Sequence, residues 1–352
     1  MSKGLLCCVA CCGQLAYSDS QVTCITCGRS WPIVLGIPDF RDRGSQYVQD
    51  DLEQVTRLQE VFHTKSRDEL VTIAVKMGSF YHNARATDRL QAQRVHNRQA
   101  WQQRAQVMSA RLVQMCSVWG RDHFAVGADI GCGSGPNLVS LAAICDQVVG
   151  IDASLSELIL AKKLLDQEKM NDVELACAYV EALPIPSQSV DLAISIYVLE
   201  HVASPDQSLV EANRVLKPGA KLYFSVPYRY TLIPPEPHTH VWWVGWLPRR
   251  WQASYVRFFK PGFEYNIHLF SFAEIADLVA VHTDAHLCFV DFGFDPRYSP
   301  VGKLYQRIWR VLCWSRLLLG LAALLARKSI HVVLTRPMTQ GPCGNDYSQS
   351  DL

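Results

Sequence analysis

Net charge is the first thing this sequence lacks: 34 Lys and Arg face 33 Asp and Glu, a formal charge of +1. Such a balance offers no global field to nucleic acid or to an acidic partner, so charged partners must be met by local patches. Long apolar runs are also missing. The one arguable span, residues 308–326, is interrupted by Arg310 and Arg316, and its unbroken part, 317–326, is too short to cross a bilayer. Residues 1–8 hold no apolar stretch of signal-peptide length, and no internal repeat is visible. The expectation is a cytoplasmic globular chain.

What is present suits one full α/β domain and a smaller module: 352 residues, 49% of them hydrophobic. Six of the 13 cysteines fall within the first 27 residues and the rest are scattered singly. A cluster of that kind in an enzyme-sized chain favours metal binding over a disulfide framework. Residues 1–43 read as a cysteine-rich module and 44–120 as a polar helical linker or cap. In the latter, Trp101, Ala105, Met108, Leu112, Met115, Cys116 and Trp119 recur at helical steps and form one apolar stripe. Residues 121–337 alternate β-branched runs with helical patterns, as a doubly wound, mostly parallel sheet does. Seven strands are predicted: 125–130, 147–151, 173–179, 190–196, 220–226, 286–292 and 329–335. An insertion at about 228–270 reads as a long aromatic-rich loop, placed either to cover a substrate or as an ordinary packed insertion, and 338–352 as a disordered tail.

Chemistry concentrates at Asp129-Ile130-Gly131-Cys132-Gly133-Ser134-Gly135, where a strand runs into a three-glycine loop and then a helix. Glycine permits positive φ and close backbone approach, and a helix N-terminus offers N–H groups to a negatively charged group. The spacing is GxGxG, not the GxGxxG of the dinucleotide fingerprint. Asp152, at the tip of the next strand, is placed to accept hydrogen bonds from a ribose. Further on come Glu181-Ala182-Leu183-Pro184, then Ser195-Ile196-Tyr197-Val198-Leu199-Glu200-His201, then Arg214-Val215-Leu216-Lys217-Pro218-Gly219. In this order, from about 120 to 235, the chain resembles class I S-adenosylmethionine-dependent methyltransferases of the ubiquinone- and menaquinone-biosynthesis kind (methyltransferase type 11).

That resemblance implies a Rossmann-like fold and S-adenosyl-L-methionine as cofactor. Asp129, Gly131, Cys132, Gly133 and Gly135 would hold its methionine end, Asp152 its ribose, and Ala153 its adenine. Where the family usually carries an acidic residue against the adenine amino group, this chain has Tyr179, followed by Val180 and Glu181, so a Val180 backbone N–H is the expected substitute. Ser195 and Tyr197 would face the sulfonium. A base is needed only for a weakly acidic acceptor, and His201, His238, His240 and His268 are the candidates.

Cys8-x-x-Cys11 and Cys24-x-x-Cys27 supply four thiolates from two tight turns, the set that structural Zn²⁺ takes. Cys7 and Cys12 stay open as substitutes in the first pair. The segment resembles the zinc ribbon of tRNA-methyltransferase activator subunits, with Val9 in place of their proline. The expected acceptor is a small apolar or aromatic molecule, methylated at O, C or N, with a lipid-like acceptor as an overlapping alternative. Alternatives are an RNA methyltransferase reading RNA through the ribbon, and a non-catalytic cofactor-binding scaffold. Arg85, Arg89, Arg94, Arg98, Arg104 and Arg111 are a local basic excess, but they spread around more than half a helix and form no phosphate-facing stripe. A helix near 304–326 is the expected place for any peripheral membrane contact. Oligomeric state is not legible.

Overall fold

The computed structural model describes residues 4–77, 92, 95–97, 99–232, 235–290 and 329–338. The readings placed on Arg85, Arg89, Arg94, Arg98, residues 304–326 and the tail lie outside these. No described helix is long and apolar enough to cross a membrane.

The N-terminal module is a four-stranded antiparallel sheet of short strands: β1 (Leu15–Tyr17), β2 (Gln21–Cys24), β3 (Ser30–Val34) and β4 (Ile37–Pro38). β3 and β4 are joined by Leu35-Gly36, both at positive φ (51° and 80°), the geometry a two-residue hairpin turn needs. Helices α1 (Gln46–Val61), α2 (Arg67–Lys76) and α3 (Trp101–Trp119) follow. The expected stripe on α3 is its buried face, at Ala105, Met108, Leu112, Met115 and Cys116.

The main sheet uses all seven predicted strands: β5 (Phe124–Ile130), β6 (Cys145–Asp152), β7 (Val173–Cys177), β8 (Val190–Ile196), β9 (Leu216–Pro227), β10 (His286–Val290) and β11 (Ser329–Thr335). Their order is β7-β6-β5-β8-β9-β11-β10. The first five run parallel, whereas β11 lies antiparallel between β9 and β10. This is the doubly wound arrangement with its last strand slotted in front of its predecessor, the Rossmann-like methyltransferase architecture. Strand order reverses at β5, so the crevice beyond the carboxyl ends of β5, β6 and β8 is where a ligand belongs.

Helices α4 (Pro136–Ala142) and α5 (Leu155–Glu168) pack with α1–α3 over one face, around Leu138, Leu158, Leu192, Ile194 and Tyr223. Helices α6 (Pro205–Val215) and α8 (Phe272–His282) cover the other face, around Ala193, Leu209, Leu222, Phe224 and Ile275. The small sheet docks on this second core with Leu6, Cys8, Leu15, Val22 and Phe40. It also joins the β7 edge: Asp39 bridges Cys177 in parallel, and the Phe40 N–H donates to the Cys177 carbonyl at 2.8 Å. A sheet edge that would otherwise expose unpaired backbone groups is thereby covered.

One expectation is corrected. The insertion is not a loop: it holds a 3₁₀ turn at Val244–Trp246 and helix α7 (Arg249–Phe259) around its own small core of Val241, Val244 and Val256. Pro248 caps α7, and Trp251, Tyr255 and Phe258 recur along it at steps of four and three, a helical period hidden by the aromatic content.

Candidate functional site

The crevice begins at the end of β5. Gly131, Gly133 and Gly135 all take positive φ (83°, 51° and 84°), and each answers a different demand. A Cβ on Gly131 would lie 2.2 Å from Val198 Cγ2, and one on Gly135 2.9 Å from Ala161 Cβ, so these two let β8 and α5 close in. A Cβ on Gly133 would meet nothing within 4 Å, which makes it the glycine that faces the open crevice.

The loop's amides do not wait for a ligand in the way the sequence suggests. Gly131 and Cys132 donate to the Ile151 carbonyl, Gly133 to Asp152 Oδ2 at 2.7 Å, and Gly135 to the Cys132 carbonyl. The cradle therefore works mainly by shape. Gly135 is the uncapped N-cap of α4, and Pro136 opens that helix.

Asp129 is the electrostatic centre. It is fully buried, and neither carboxylate oxygen accepts a hydrogen bond among the described residues. Burial, reinforced by the nearby Asp152 charge, pushes its carboxyl well above the usual range. A buried carboxylate without a partner is costly, so it calls for a cation. S-adenosylmethionine carries two, an ammonium and a sulfonium, and the fit is chemically direct.

Asp152 is also lifted, to about 6, by burial, while N–H bonds from Ser154 and Gly133 pull the other way. Its Oδ1 takes the Ser154 N–H at 2.9 Å and its Oδ2 the Gly133 N–H at 2.7 Å. A carboxylate has about four acceptor positions, leaving two for ribose hydroxyls. Replacing Asp152 by alanine is expected to weaken cofactor binding roughly 5- to 150-fold, the loss of 1–3 kcal/mol of polar contacts. Unchanged affinity by calorimetry would remove Asp152 from the site.

The remaining cofactor candidates divide. The Ala153 carbonyl accepts from Arg41 Nη1 at 2.8 Å. Cys132 is buried at the loop, its thiol raised by burial. Val180 and Ser195 line one apolar cavity with Ile130, Leu199 and Phe224. Tyr197 sits at φ 58° with its N–H on the Ser225 carbonyl. Glu181 is engaged elsewhere: its Oε1 accepts from the Ala203 and Ser204 N–H groups at the start of α6.

Two of the four histidine candidates meet. His201 and His238 lie edge to face with ring centroids 4.7 Å apart. His238 Nδ1 is 2.5 Å from Glu236 Oε1, and its Nε2 is 3.8 Å from Glu200 Oε1. Glu200 is fully buried with neither oxygen hydrogen-bonded among the described residues, and burial pushes its carboxyl up to about 8. Burial and the His238 charge push His201 down to about 4. His238 moves upward: burial opposes its charge, but the Glu236 hydrogen bond and the Glu236 and Glu200 charges prevail. His268 donates its backbone N–H to the Glu200 carbonyl and tilts against Phe270. His240 stands apart in a left-handed turn whose N–H bonds the Glu236 carbonyl. The carboxylates completing this cluster, Glu200 and Glu236, were not among the sequence candidates for the base.

The four predicted thiols come together. Cys8, Cys11, Cys24 and Cys27 place their sulfurs within 4.8 Å of one another. N–H groups of Ala10 and Cys27 point at the Cys8 and Cys24 sulfurs, at 3.3 and 3.4 Å. Cys7 is instead held by its N–H to the Pro184 carbonyl, so the paired spacing selects Cys8 and Cys11. The set suits one tetrahedral, thiolate-bound metal.

Sequence reasoning missed Arg41 and Tyr47. Arg41 is fully buried, ion-paired to Asp39 (2.8 Å) and Asp51 (2.7 Å). Asp51 in turn accepts from Ser154 Oγ, the Leu155 N–H and Ser156 Oγ at the start of α5. This ties the cysteine module to the tip of β6. Burial raises the Tyr47 phenol, and the Asp152 and Asp51 charges add to it. On the RNA question, Arg111 is occupied by the Tyr223 hydroxyl at 3.2 Å.

A doubly wound sheet, a glycine turn, a buried carboxylate without a hydrogen bond among the described residues and a second carboxylate one strand over form a crevice that could hold a positively charged nucleoside. Residues 128–224 match the family described as "Methyltransferase domain". The matched stretch holds Asp129, the glycine turn and Asp152.

A ubiquinone biosynthesis O-methyltransferase of Coxiella burnetii is 30% identical over 139 residues, 38% of this chain and 56% of that protein. An uncharacterized 37.1 kDa protein in transposon TN4556 of Streptomyces fradiae is 38% identical over 102 residues, 28% of this chain and 29% of that one. The chain therefore spans from about a third to about half of the length of these relatives. A solved SAM dependent methyltransferase of Aquifex aeolicus aligns over 64% of this chain and 88% of its own at 14% identity, with a TM-score of 0.41.

Proposed function

We propose that this protein transfers the methyl group of S-adenosylmethionine to a small apolar or aromatic molecule through a hydroxyl. The observation that carries the reading is Asp129, a buried carboxylate without a hydrogen bond among the described residues, at the strand-to-loop turn and one strand from Asp152. Bound there, the cofactor supplies a methyl group on positively charged sulfur, already activated for in-line displacement. Asp129 and the Gly131–Gly135 turn hold the methionine end, and Asp152 holds the ribose. Holding donor and acceptor in line supplies most of the acceleration.

The acceptor's proton falls to the His238–Glu236 pair. Glu236 fixes the ring through Nδ1, the orienting logic of a carboxylate behind a catalytic histidine, and Nε2 lies 3.8 Å from Glu200 Oε1. A base acts in its neutral form, and His238 titrates above its ordinary 6.5. The rate is therefore expected to rise with pH along a limb whose midpoint exceeds 6.5. His238→Gln is expected to lose about 10²–10⁴ in kcat and to flatten that limb while cofactor affinity stays unchanged. An intact limb in that variant would assign the proton elsewhere.

We also propose that Cys8, Cys11, Cys24 and Cys27 hold zinc and that the metal sustains the small sheet. Unaided, a module of that size buries too little apolar surface to stand. Chelation is expected to release zinc and to lower cofactor affinity, because the module reaches Ala153 through Arg41. Metal analysis that finds no zinc, or chelation without effect on binding, would reject it. The decisive test of the whole reading is turnover of methyl-labelled cofactor with fractionated cell extract, followed by mass spectrometry of the product. Saturable binding without turnover in any fraction would favour the scaffold alternative.

A further inference from the structure

The insertion that sets His238 beside Glu200 and His201 turns a different face outward. Trp242, Trp243, Trp246, Trp251, Phe258 and Phe259 are all exposed, Phe258 by 80%. Among the described residues, every exposed tryptophan and every exposed phenylalanine except Phe289 lies in this 18-residue stretch. Scattered surface apolars need no explanation, but a concentration of this kind marks an interaction surface.

Helix α7 shows how the surface is built. Gln252 and Val256 point into the insertion's own core, and Arg249 is pinned to Glu274 at 2.6 Å. Trp251, Tyr255 and Phe258 recur at steps of four and three on a neighbouring face, with Phe259 alongside. Arg250 and Arg257, seven apart, form a separate basic edge that Lys260 extends. None of these three cations has an acidic partner among the described residues, and Arg250 lies over the Trp251 ring at 5.4 Å. The insertion's acids do not offset them: Glu236 is buried against His238, which leaves Glu264 as the exposed one.

An aromatic stripe flanked by unpaired cations is the composition of a helix lying in a membrane interface. Tryptophan and phenylalanine rings sit at the headgroup boundary, and arginine and lysine meet anionic headgroups. A protein interface core is instead depleted of lysine, and a buried arginine there needs a carboxylate partner. We infer that α7 and the preceding Trp242–Trp246 turn form a docking surface for a bilayer containing anionic phospholipid. This goes beyond the methyl-transfer reading and stands independently of it, although it would set the mouth of the crevice beside a medium that dissolves apolar acceptors.

The test is flotation of the full chain with vesicles of phosphatidylcholine alone and of phosphatidylcholine mixed with phosphatidylserine. The expected result is flotation with the anionic vesicles, reversed by salt, and much weaker flotation with the neutral ones. The Arg250→Gln/Arg257→Gln variant is expected to partition onto anionic vesicles roughly tenfold less or worse, from about a fivefold loss per cation. Trp251→Ser/Phe258→Ser is expected to float with neither. Unchanged cofactor affinity in both variants shows that they are folded and separates failure here from failure of the methyl-transfer reading. No flotation of the parent chain, or equal flotation with both vesicle types, overturns the inference. So does a concentration-dependent dimer that Trp251→Ser/Phe258→Ser abolishes, since a second copy would then own the surface.

Discussion

Arg41→Met is expected to destabilise the chain by about 3–5 kcal/mol, the penalty of stripping one partner from a buried ion pair. The guanidinium makes four side-chain contacts: Nε and Nη2 to the two Asp39 oxygens at 2.8 and 3.0 Å, and Nη1 to Asp51 Oδ2 at 2.7 Å and the Ala153 carbonyl at 2.8 Å. Removing it strands two carboxylates whose side chains are almost wholly buried. Methionine fills much of the space, so the loss reports charge and hydrogen bonding more than cavity formation. Arg41→Lys is expected to recover only part of it, because an ammonium cannot match the planar fork on Asp39. Cofactor affinity is expected to fall in parallel, since Ala153 follows Asp152, the residue proposed to hold the ribose. Chemical denaturation and calorimetry on the same samples check both. A stable Arg41→Met protein with native affinity would mean that the cysteine module and the cofactor crevice are energetically separate.

Gly131→Ala is the second substitution with a large expected effect. Its Cβ would stand 2.2 and 2.9 Å from the two Val198 methyl carbons, at a backbone φ of +83°. Left-handed geometry costs a residue bearing Cβ about 1–2 kcal/mol, and forcing a methyl into packed surroundings about 1–3 more. The clash falls between the glycine turn and the β8 end, which together shape the crevice, so cofactor binding is expected to drop by roughly a hundredfold or more. Adding Val198→Ala is expected to relieve the overlap but not the backbone strain, which gives a partial rescue. Gly133→Ala is the contrast: its Cβ meets nothing within 4 Å, so stability should suffer only the φ penalty while a ligand in the open crevice meets the new methyl. Thermal melts with and without cofactor distinguish the three. Wild-type affinity in Gly131→Ala would exclude this turn as the cradle.

The elements of the sheet were legible because local pattern determines them. Runs such as Val190–Ile196 and Ser329–Thr335 are β-branched and apolar enough to be strands wherever they end up, and both have the predicted boundaries. Helix α7 was misread because aromatic content drew attention away from a regular four-and-three spacing. The placement of β11 ahead of β10 was invisible, since register between distant strands depends on which edge is vacant after the parallel core has formed.

At the site, residue types with a chemical signature were recoverable: the three glycines form a turn at positive φ, Asp129 and Asp152 stand on neighbouring strands, and the four cysteines converge. Partnerships across long separations were not. Arg41 reaches Ala153 across 112 positions, and His238 meets Glu200 only because the insertion folds back over β8.

By itself, then, the sequence determined the kinds of element, the glycine turn and the cysteine quartet, because each depends on spacing within a short stretch of chain. Only the tertiary structure decided that the amides of Gly131, Cys132, Gly133 and Gly135 are already spent, that Asp129 has no hydrogen bond among the described residues, and that His238 is backed by Glu236 beside Glu200. Those are properties of burial and distance between segments, and a buried group's charge, partner and reach exist only once the chain has closed around it.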